Sequence, residues 1–215
     1  MTPLPKGLDL ISAAATVNPA LSSWMAMRTR VDLGSLPKSF TVLIMGATST
    51  SGSVAVNLVR TLGAGKVIGV GRDKAKLARL PLDEVVVLTD GADDKQTGFE
   101  NLGDVDVVLD YLYGQPMLQL LSAIKTNRPL QYVQLGSMAG PSVDLPAAIM
   151  RSKDITLRGA GPGAWTHGQM ASEMAPLLDA LVGAEGARFA VRKLSEVEGA
   201  WDAKDISERL VFLIE

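Results

Sequence analysis

The chain has 215 residues, 47% of them hydrophobic and 20% charged, a composition typical of a globular protein with one large or two small domains. Its 21 basic and 23 acidic side chains give a formal charge of −2, which argues against nucleic acid and anionic membranes as partners. With no cysteine and one histidine, the chain can build neither a disulfide framework nor a thiolate or multi-histidine metal site.

No apolar run approaches the roughly 18 residues of a membrane span. The N-terminal sequence also lacks the basic start and apolar block of a signal peptide. We therefore expect a protein of the cytoplasm.

The middle of the chain alternates strand-like and helix-like segments from about residue 40 to about residue 159. The predicted strands are Thr41–Met45, Lys66–Gly71, Glu84–Leu88, Asp104–Leu109, Gln131–Leu135 and a weaker sixth, Ile155–Arg158. The predicted helices are one that carries Val54, Leu58 and Leu62 and ends at Gly63, one over Asp73–Leu80 and one over Met117–Ile124. This order predicts an α/β fold: a doubly wound, parallel, Rossmann-type sheet of about six strands with helices on both faces.

The two ends of the chain have a different pattern. Residues 8 to 31 are helical in character, and Pro19 is expected to break them into two helices. After an amphipathic helix over Thr166–Leu181, the end of the chain contains two short strands, Phe189–Arg192 and Leu210–Ile214, around a helical segment, Glu196–Ala203. These strands do not extend the parallel sheet. We predict a dinucleotide-binding domain over residues 1–186, with a helical lead-in, and a strand-helix-strand unit over 187–215.

A glycine-containing turn follows the first strand, where a doubly wound sheet binds the pyrophosphate of a dinucleotide. Small residues let the backbone approach the phosphates, and the start of the next helix supplies free N–H groups. The alternative is a tight strand-to-helix turn capped by hydroxyl side chains. The predicted cofactor-binding residues here are Gly46, Thr48, Ser49, Thr50, Ser51 and Gly52.

The end of the second strand determines which nicotinamide nucleotide is preferred. Gly71 stands where NAD-binding proteins have an acidic residue, and Arg72 and Lys76 can bind a 2′-phosphate. This favours NADP(H) over NAD(H). Asp73 keeps the second possibility open, because it either caps the following helix or accepts the ribose hydroxyls of NAD.

Seven segments follow one another along the chain: Pro19–Met27, Val42–Gly52, Ala55–Leu58, Leu62–Ile68, Val108–Gly114, Gln134–Pro141 and Leu157–Gly163. In this order they resemble the cofactor domain of medium-chain dehydrogenases/reductases, in the zinc-free branch similar to quinone oxidoreductases. The resemblance covers nearly the whole chain. It implies a zinc-independent, NADP(H)-dependent reductase of a small hydrophobic carbonyl compound, a quinone or enone, and a homodimer formed through Ile155–Arg158.

The chain departs from this family in two respects. Members normally begin with a GroES-like catalytic domain, which the resemblance leads us to expect is missing here, and residues 187–215 resemble the strands that return to that domain. Ser49 and Ser51 replace a glycine and a small apolar residue, which is expected to narrow the space near the pyrophosphate.

The resemblance also places the ends of the fourth and fifth strands beside the nicotinamide. The residues expected to contact the cofactor there are Asp110, Gln134, Gly136 and Ser137. Tyr111 or Tyr113 is a candidate donor to a substrate carbonyl, and His167 is a candidate proton shuttle. The alternatives are that the tyrosines pack on neighbouring helices, that Asp110 caps a turn, and that His167 lies at a helix start on the surface.

Two other functions remain open. The crevice expected at the carboxyl ends of the strands could hold an apolar substrate for a non-redox step such as cyclisation, isomerisation or dehydration. The chain could also be a noncatalytic subunit that binds a dinucleotide or a partner.

Overall fold

The computed structural model describes residues 2–89, 97–184, 186–201 and 208–214. Within these ranges the helices are α1 Leu10–Thr29, α2 Thr50–Thr61, α3 Lys74–Leu77, α4 Gly114–Ala123, α5 Ala147–Ser152, α6 His167–Ala180 and α7 Val197–Trp201. The strands are β1 Phe40–Met45, β2 Ala64–Gly71, β3 Glu84–Val87, β4 Val107–Asp110, β5 Leu130–Gln134, β6 Ile155–Gly159, β7 Phe189–Lys193 and β8 Arg209–Leu213.

The first six strands form one parallel sheet in the order β3-β2-β1-β4-β5-β6. This confirms the predicted doubly wound α/β fold. Met45 at the end of β1 is in register with Val70 of β2 and with Asp110 of β4, and Asp110 is in register with Gln134 of β5. The carboxyl ends of these strands therefore meet along one edge, where the predicted site residues of the loops lie.

Each face of the sheet has its own buried cluster. The cluster on the α1, α2 and α6 side includes Trp24, Val56 and Trp165, and the cluster on the α4 side includes Met117 and Tyr132. The sheet is thus covered on both sides, which explains the almost continuous apolar runs of its central strands. Among the described residues, no helix combines the length and the apolar character that crossing a membrane requires.

The predicted break at Pro19 is wrong, because α1 continues from Leu10 to Thr29. Proline removes one hydrogen bond of a helix and crowds the preceding turn. Here Pro19 is itself buried, and α1 packs along α2 and α6, so tertiary packing keeps the helix continuous.

The fourth strand begins three residues later than the sequence predicts. Asp106 is still bonded to both neighbouring strands, since its N–H donates to the Thr41 carbonyl at 3.0 Å and its carbonyl accepts from Gln131 N at 2.9 Å. Its Oδ2 also accepts a hydrogen bond from Thr41 N at 2.7 Å, and Asp104 Oδ1 accepts one from Asn127 N at 3.1 Å. Helix boundaries also differ, since α3 ends at Leu77 and α4 begins at Gly114. Of the predicted segment 196–203, the helix covers Val197–Trp201, and residues 202 and 203 lie outside the described ranges.

The last two strands lie outside the main sheet, as predicted, and the structure shows that they pair with each other in parallel, with Phe189 opposite Arg209. The backbone just before β7 is fixed on α1, where Ala187 N donates to Thr16 Oγ1 at 3.1 Å in a buried contact. The C-terminal segment therefore packs on the helical layer. Its status as a separate domain stays a prediction.

Candidate cofactor-binding crevice

The turn after β1 is held tightly against the neighbouring strand and helix. Gly46 adopts a φ of +87°, a conformation that favours glycine, and its N–H donates to the Val70 carbonyl at 2.9 Å. A Cβ on Gly52 would overlap the Gly46 carbonyl oxygen and approach Ala47 Cα to 2.9 Å. Both ends of the turn therefore require glycine, which lets α2 start directly against β1.

Ser49 is the N-cap of α2. Its hydroxyl accepts a hydrogen bond from Gly52 N at 3.1 Å and donates to the Gly46 carbonyl at 2.8 Å. The side chain is thus bonded within the turn, in an extended conformation with φ of −73° that needs no glycine. The Ser49 hydroxyl is therefore directed at the turn itself, and the narrowing of the space near the pyrophosphate by Ser49 and Ser51 stays a prediction.

The first residues of α2 provide the groups that an anion needs. The N–H groups of Thr50 and Ser51 lie in the first turn of α2, where no preceding helical carbonyl is available to them. The hydroxyl side chains of Thr48, Thr50 and Ser51 lie beside them and are exposed or half-buried. The helix dipole adds partial positive charge at the same point. The residues present therefore fit a pyrophosphate.

At the end of β2, Asp73 is the N-cap of α3, since its Oδ1 accepts a hydrogen bond from Lys76 N at 3.0 Å. The capping alternative for Asp73 is the one that the structure supports. Arg72 and Lys76 are exposed next to it. Gly71 lies against the turn, because a Cβ there would stand 3.3 Å from Thr48.

Asp110 is completely buried and organises the loop that follows β4. Its carboxylate accepts hydrogen bonds from Leu112 N at 2.8 Å, from Tyr113 N at 2.9 Å and from the Tyr132 hydroxyl at 2.5 Å. Burial raises the pKa of this carboxyl above its usual value, although the three donors act in the opposite direction. Asp110 therefore caps a turn, the alternative considered for it, and its side chain has no exposed surface for direct contact with a cofactor.

The two tyrosines lie on opposite sides of the sheet. Tyr111 is buried in the cluster that contains α1, and its hydroxyl lies 3.4 Å from Ser22 Oγ. This geometry favours packing for Tyr111 and does not support a donor role toward substrate. Tyr113 is half-buried against the opposite cluster, at a φ of +58°. Such a conformation costs about 1–3 kcal/mol and is concentrated at functional sites.

The end of β5 is bonded to the same loop. Leu135 N and Gly136 N both donate to the Asp110 carbonyl, at 2.7 and 3.1 Å. A Cβ on Gly136 would stand 2.9 Å from the Tyr111 carbonyl oxygen, so this contact needs glycine. Gln134 is half-buried and Ser137 is exposed at this edge. The structure thus brings Tyr113, Gln134, Gly136 and Ser137 together.

His167 does not join this group. It is the first residue of α6 and is exposed. The loop before His167 contacts the end of α1, where the Arg30 side chain donates a hydrogen bond to the Ala164 carbonyl. Just after α1, Asp32 N donates a hydrogen bond to the Gln131 side chain near the start of β5. Within the described residues, no contact links His167 to the crevice, and the surface alternative fits its position.

Sequence reasoning missed one feature beside the turn. A cleft of about 330 Å³ lies between the first half of α2, the region of α3 and the C-terminal pair of strands. Its lining, which we call the arginine cleft, is Thr48, Thr50, Ser53, Asn57, Lys76, Arg79, Leu80, Pro81, Gly186, Arg188, Glu208 and Arg209. Local sequence around Arg188 and Arg209 contains no motif that would have placed them next to α2.

The fold and the glycine turn define a protein with a Rossmann-type α/β fold. No protein-family model matches the chain. A probable NADPH-dependent quinone reductase of Emericella nidulans, tdiC, is 36% identical over 224 aligned positions, which cover 96% of this chain and 62% of that relative. The chain thus spans less than two thirds of this relative's length.

Solved structures agree on the fold. A mycobacterial quinone oxidoreductase superposes with a TM-score of 0.80 at 16% identity, over 99% of this chain and 67% of that one. The yhdH oxidoreductase of Salmonella enterica, in complex with NADP, gives 0.72 at 17% identity, over 99% and 66%. The resemblance inferred from the sequence agrees with these comparisons: the chain is similar over nearly its whole length to part of a quinone reductase, and it shares the fold of solved oxidoreductases.

Proposed function

We propose that this chain binds NADP(H) and acts as the cofactor-binding part of a zinc-independent reductase of quinones or enones. The observation that carries the proposal is the turn over 46–52, where Gly46 and Gly52 bring the backbone and the start of α2 together and the Ser49 hydroxyl is bonded within the turn. The tdiC relative, described as NADPH-dependent, supports the choice of cofactor.

In this proposal the residues have separate tasks. The amides of Thr50 and Ser51 bind the pyrophosphate, and Arg72 and Lys76 lie at the ribose end. Gln134, Gly136 and Ser137 form the wall at the nicotinamide end. When bound, NADPH would supply the hydride for the reduction.

The substrate end of the crevice has neutral donors. At this edge the hydroxyl groups of Tyr113, which is half-buried and whose N–H is bonded to Asp110, and of the exposed Ser137 can donate a hydrogen bond to a carbonyl oxygen. An oxygen that gains negative charge during reduction is stabilised by such donors. We therefore propose a small hydrophobic carbonyl compound as substrate and Tyr113 as the candidate donor.

Titration of the purified chain with NADPH and NADH by calorimetry tests the proposal. We expect saturable binding with preference for NADPH, and loss of NADPH absorbance when a quinone or enone is added. No heat with either nucleotide would contradict the proposal. Product formed from an apolar substrate without nucleotide would favour the non-redox function, and a second chain that co-purifies would favour the noncatalytic subunit.

We also propose a homodimer through Ile155–Arg158. Among the described strands, β6 is an edge of the sheet, paired with β5 alone, and Leu157 is 40% exposed on it. Replacing Leu157 with lysine is expected to shift the chain to the monomer in sedimentation velocity. Leu194→Lys, at a similarly exposed position outside β6, is the control and should leave the sedimentation coefficient unchanged. A monomeric wild type would contradict the dimer. The cytoplasmic location stays a prediction that cell fractionation would test.

A further inference from the structure

The arginine cleft has a strong positive charge in a chain that is slightly acidic overall. Four of its lining residues are cationic, Lys76, Arg79, Arg188 and Arg209, and one is a carboxylate, Glu208, which leaves an excess of three positive charges. The whole chain has a formal charge of −2. Basic residues from three distant segments are therefore concentrated around one cavity.

The three arginines of the cleft, Arg79, Arg188 and Arg209, differ from nearby Arg60 in the hydrogen bonds and ion pairs of their side chains. In the part of the chain that the structure describes, none of their side chains forms an ion pair or a hydrogen bond. Arg60, by contrast, donates to Asp83 Oδ2 and to the Pro81 carbonyl, both at 2.8 Å. Guanidinium groups placed in this way around a cavity are suited to a dianion, which they can bind with paired hydrogen bonds.

The backbone that carries two of these arginines is well anchored. Ala187, next to Arg188, is 5% exposed and bonded to Thr16 on α1. Arg209 N donates to the Arg188 carbonyl at 3.4 Å, so the two arginines stand side by side where β7 and β8 begin. The position of the C-terminal segment on α1 thus sets the distance between these charges and α2.

The cleft is continuous with the predicted cofactor site. It shares Thr48 and Thr50 with the glycine turn and Lys76 with the ribose end. Gly71, the last residue of β2, approaches Thr48 closely. A phosphate attached to a ribose at the end of β2 would therefore face the cleft.

We propose that Arg79, Arg188 and Arg209 bind a phosphate monoester dianion, the 2′-phosphate of NADP(H), so that the C-terminal segment determines the cofactor preference. This inference rests on the proposed function and assigns its selectivity to residues outside the loop after β2. Glu208, the carboxylate of the cleft, opposes the anion and is outweighed by four cations.

The test compares the double variant Arg188→Gln and Arg209→Gln with wild type. Calorimetric titrations use NADPH, NADH, 2′,5′-ADP, 5′-AMP and inorganic phosphate. We expect affinity for NADPH and 2′,5′-ADP to fall on the order of tenfold per arginine, with NADH and 5′-AMP within about twofold. Arg192→Gln, an exposed arginine on β7 outside the cleft, is the matched control and should change nothing.

The outcomes separate this inference from the proposed function. If the melting curve shows that the double variant is folded, and the variant binds NADPH as tightly as wild type does, the assignment of the 2′-phosphate to the arginine cleft is wrong. The proposed function stands in that case. If inorganic phosphate binds in an arginine-dependent way but no nucleotide does, the phosphate comes from another ligand, and both the 2′-phosphate assignment and the proposed function fail. If neither NADPH nor phosphate binds to wild type, both also fail.

Discussion

Replacing Gly52 with alanine is expected to destabilise the protein and to abolish nucleotide binding. Inside a helix this substitution normally stabilises by up to about 1 kcal/mol. Here the new Cβ would overlap the Gly46 carbonyl oxygen and crowd Ala47 Cα, which are backbone atoms that cannot rotate away. We expect the free energy of unfolding to fall by about 2–3 kcal/mol, which is a drop on the order of 5–10 °C in Tm.

The matched control is Gly168→Ala, in the first turn of α6. An added Cβ there meets no atom closer than 3.8 Å, so the helix preference of alanine should leave stability equal or slightly higher. Thermal melting followed by circular dichroism, and calorimetric titration with NADPH, distinguish the two variants. A Gly52→Ala protein as stable as the Gly168→Ala protein would mean that α2 does not pack on the turn as described.

The sheet and the glycine turn were predictable because their signals are local. Val42 to Met45 form a short apolar run followed by a glycine, and the hydroxyl residues around Ser49 are typical of a helix start. The failures were cases in which tertiary contacts override local preference. Pro19 stays within a helix because its surroundings are buried, and Asp104, at the predicted start of the fourth strand, lies before β4 with its carboxylate bonded to Asn127 N.

The candidate site was predictable only where it follows from topology. Parallel strands end at one edge, so the strand order alone is enough to bring the loops after β1, β4 and β5 together. The direction of a side chain could not be inferred in this way: Tyr111 and Tyr113, two residues apart, lie on opposite faces of the sheet. Arg188 and Arg79 line the same cleft because of where the C-terminal segment packs, which is a long-range property that local sequence does not encode.

Replacing Asp110 with alanine is expected to lower the free energy of unfolding by about 2–4 kcal/mol. The substitution removes the acceptor of the Leu112 amide, the Tyr113 amide and the Tyr132 hydroxyl. Leu112 and Tyr113 are half-buried, so water can replace part of the loss, but the Tyr132 side chain is fully buried and its hydroxyl would be left unsatisfied. Chemical denaturation at neutral pH gives the difference. A loss below about 0.5 kcal/mol would contradict the network.

The control is Asp110→Asn, which keeps an oxygen acceptor for the two amides but cannot titrate, and so isolates the effect of the charge. Burial raises the pKa of Asp110 in the folded state, so the native protein binds this proton more tightly than the unfolded chain. The stability that the neutral carboxyl contributes is therefore complete below the ordinary pKa of 3.8 and is lost as the pH rises through the higher folded-state value. The stability of wild type relative to Asp110→Asn should fall over that range and then level off. A difference that stays constant, or that grows with pH, would show that the hydrogen bonds outweigh the desolvation of the carboxylate.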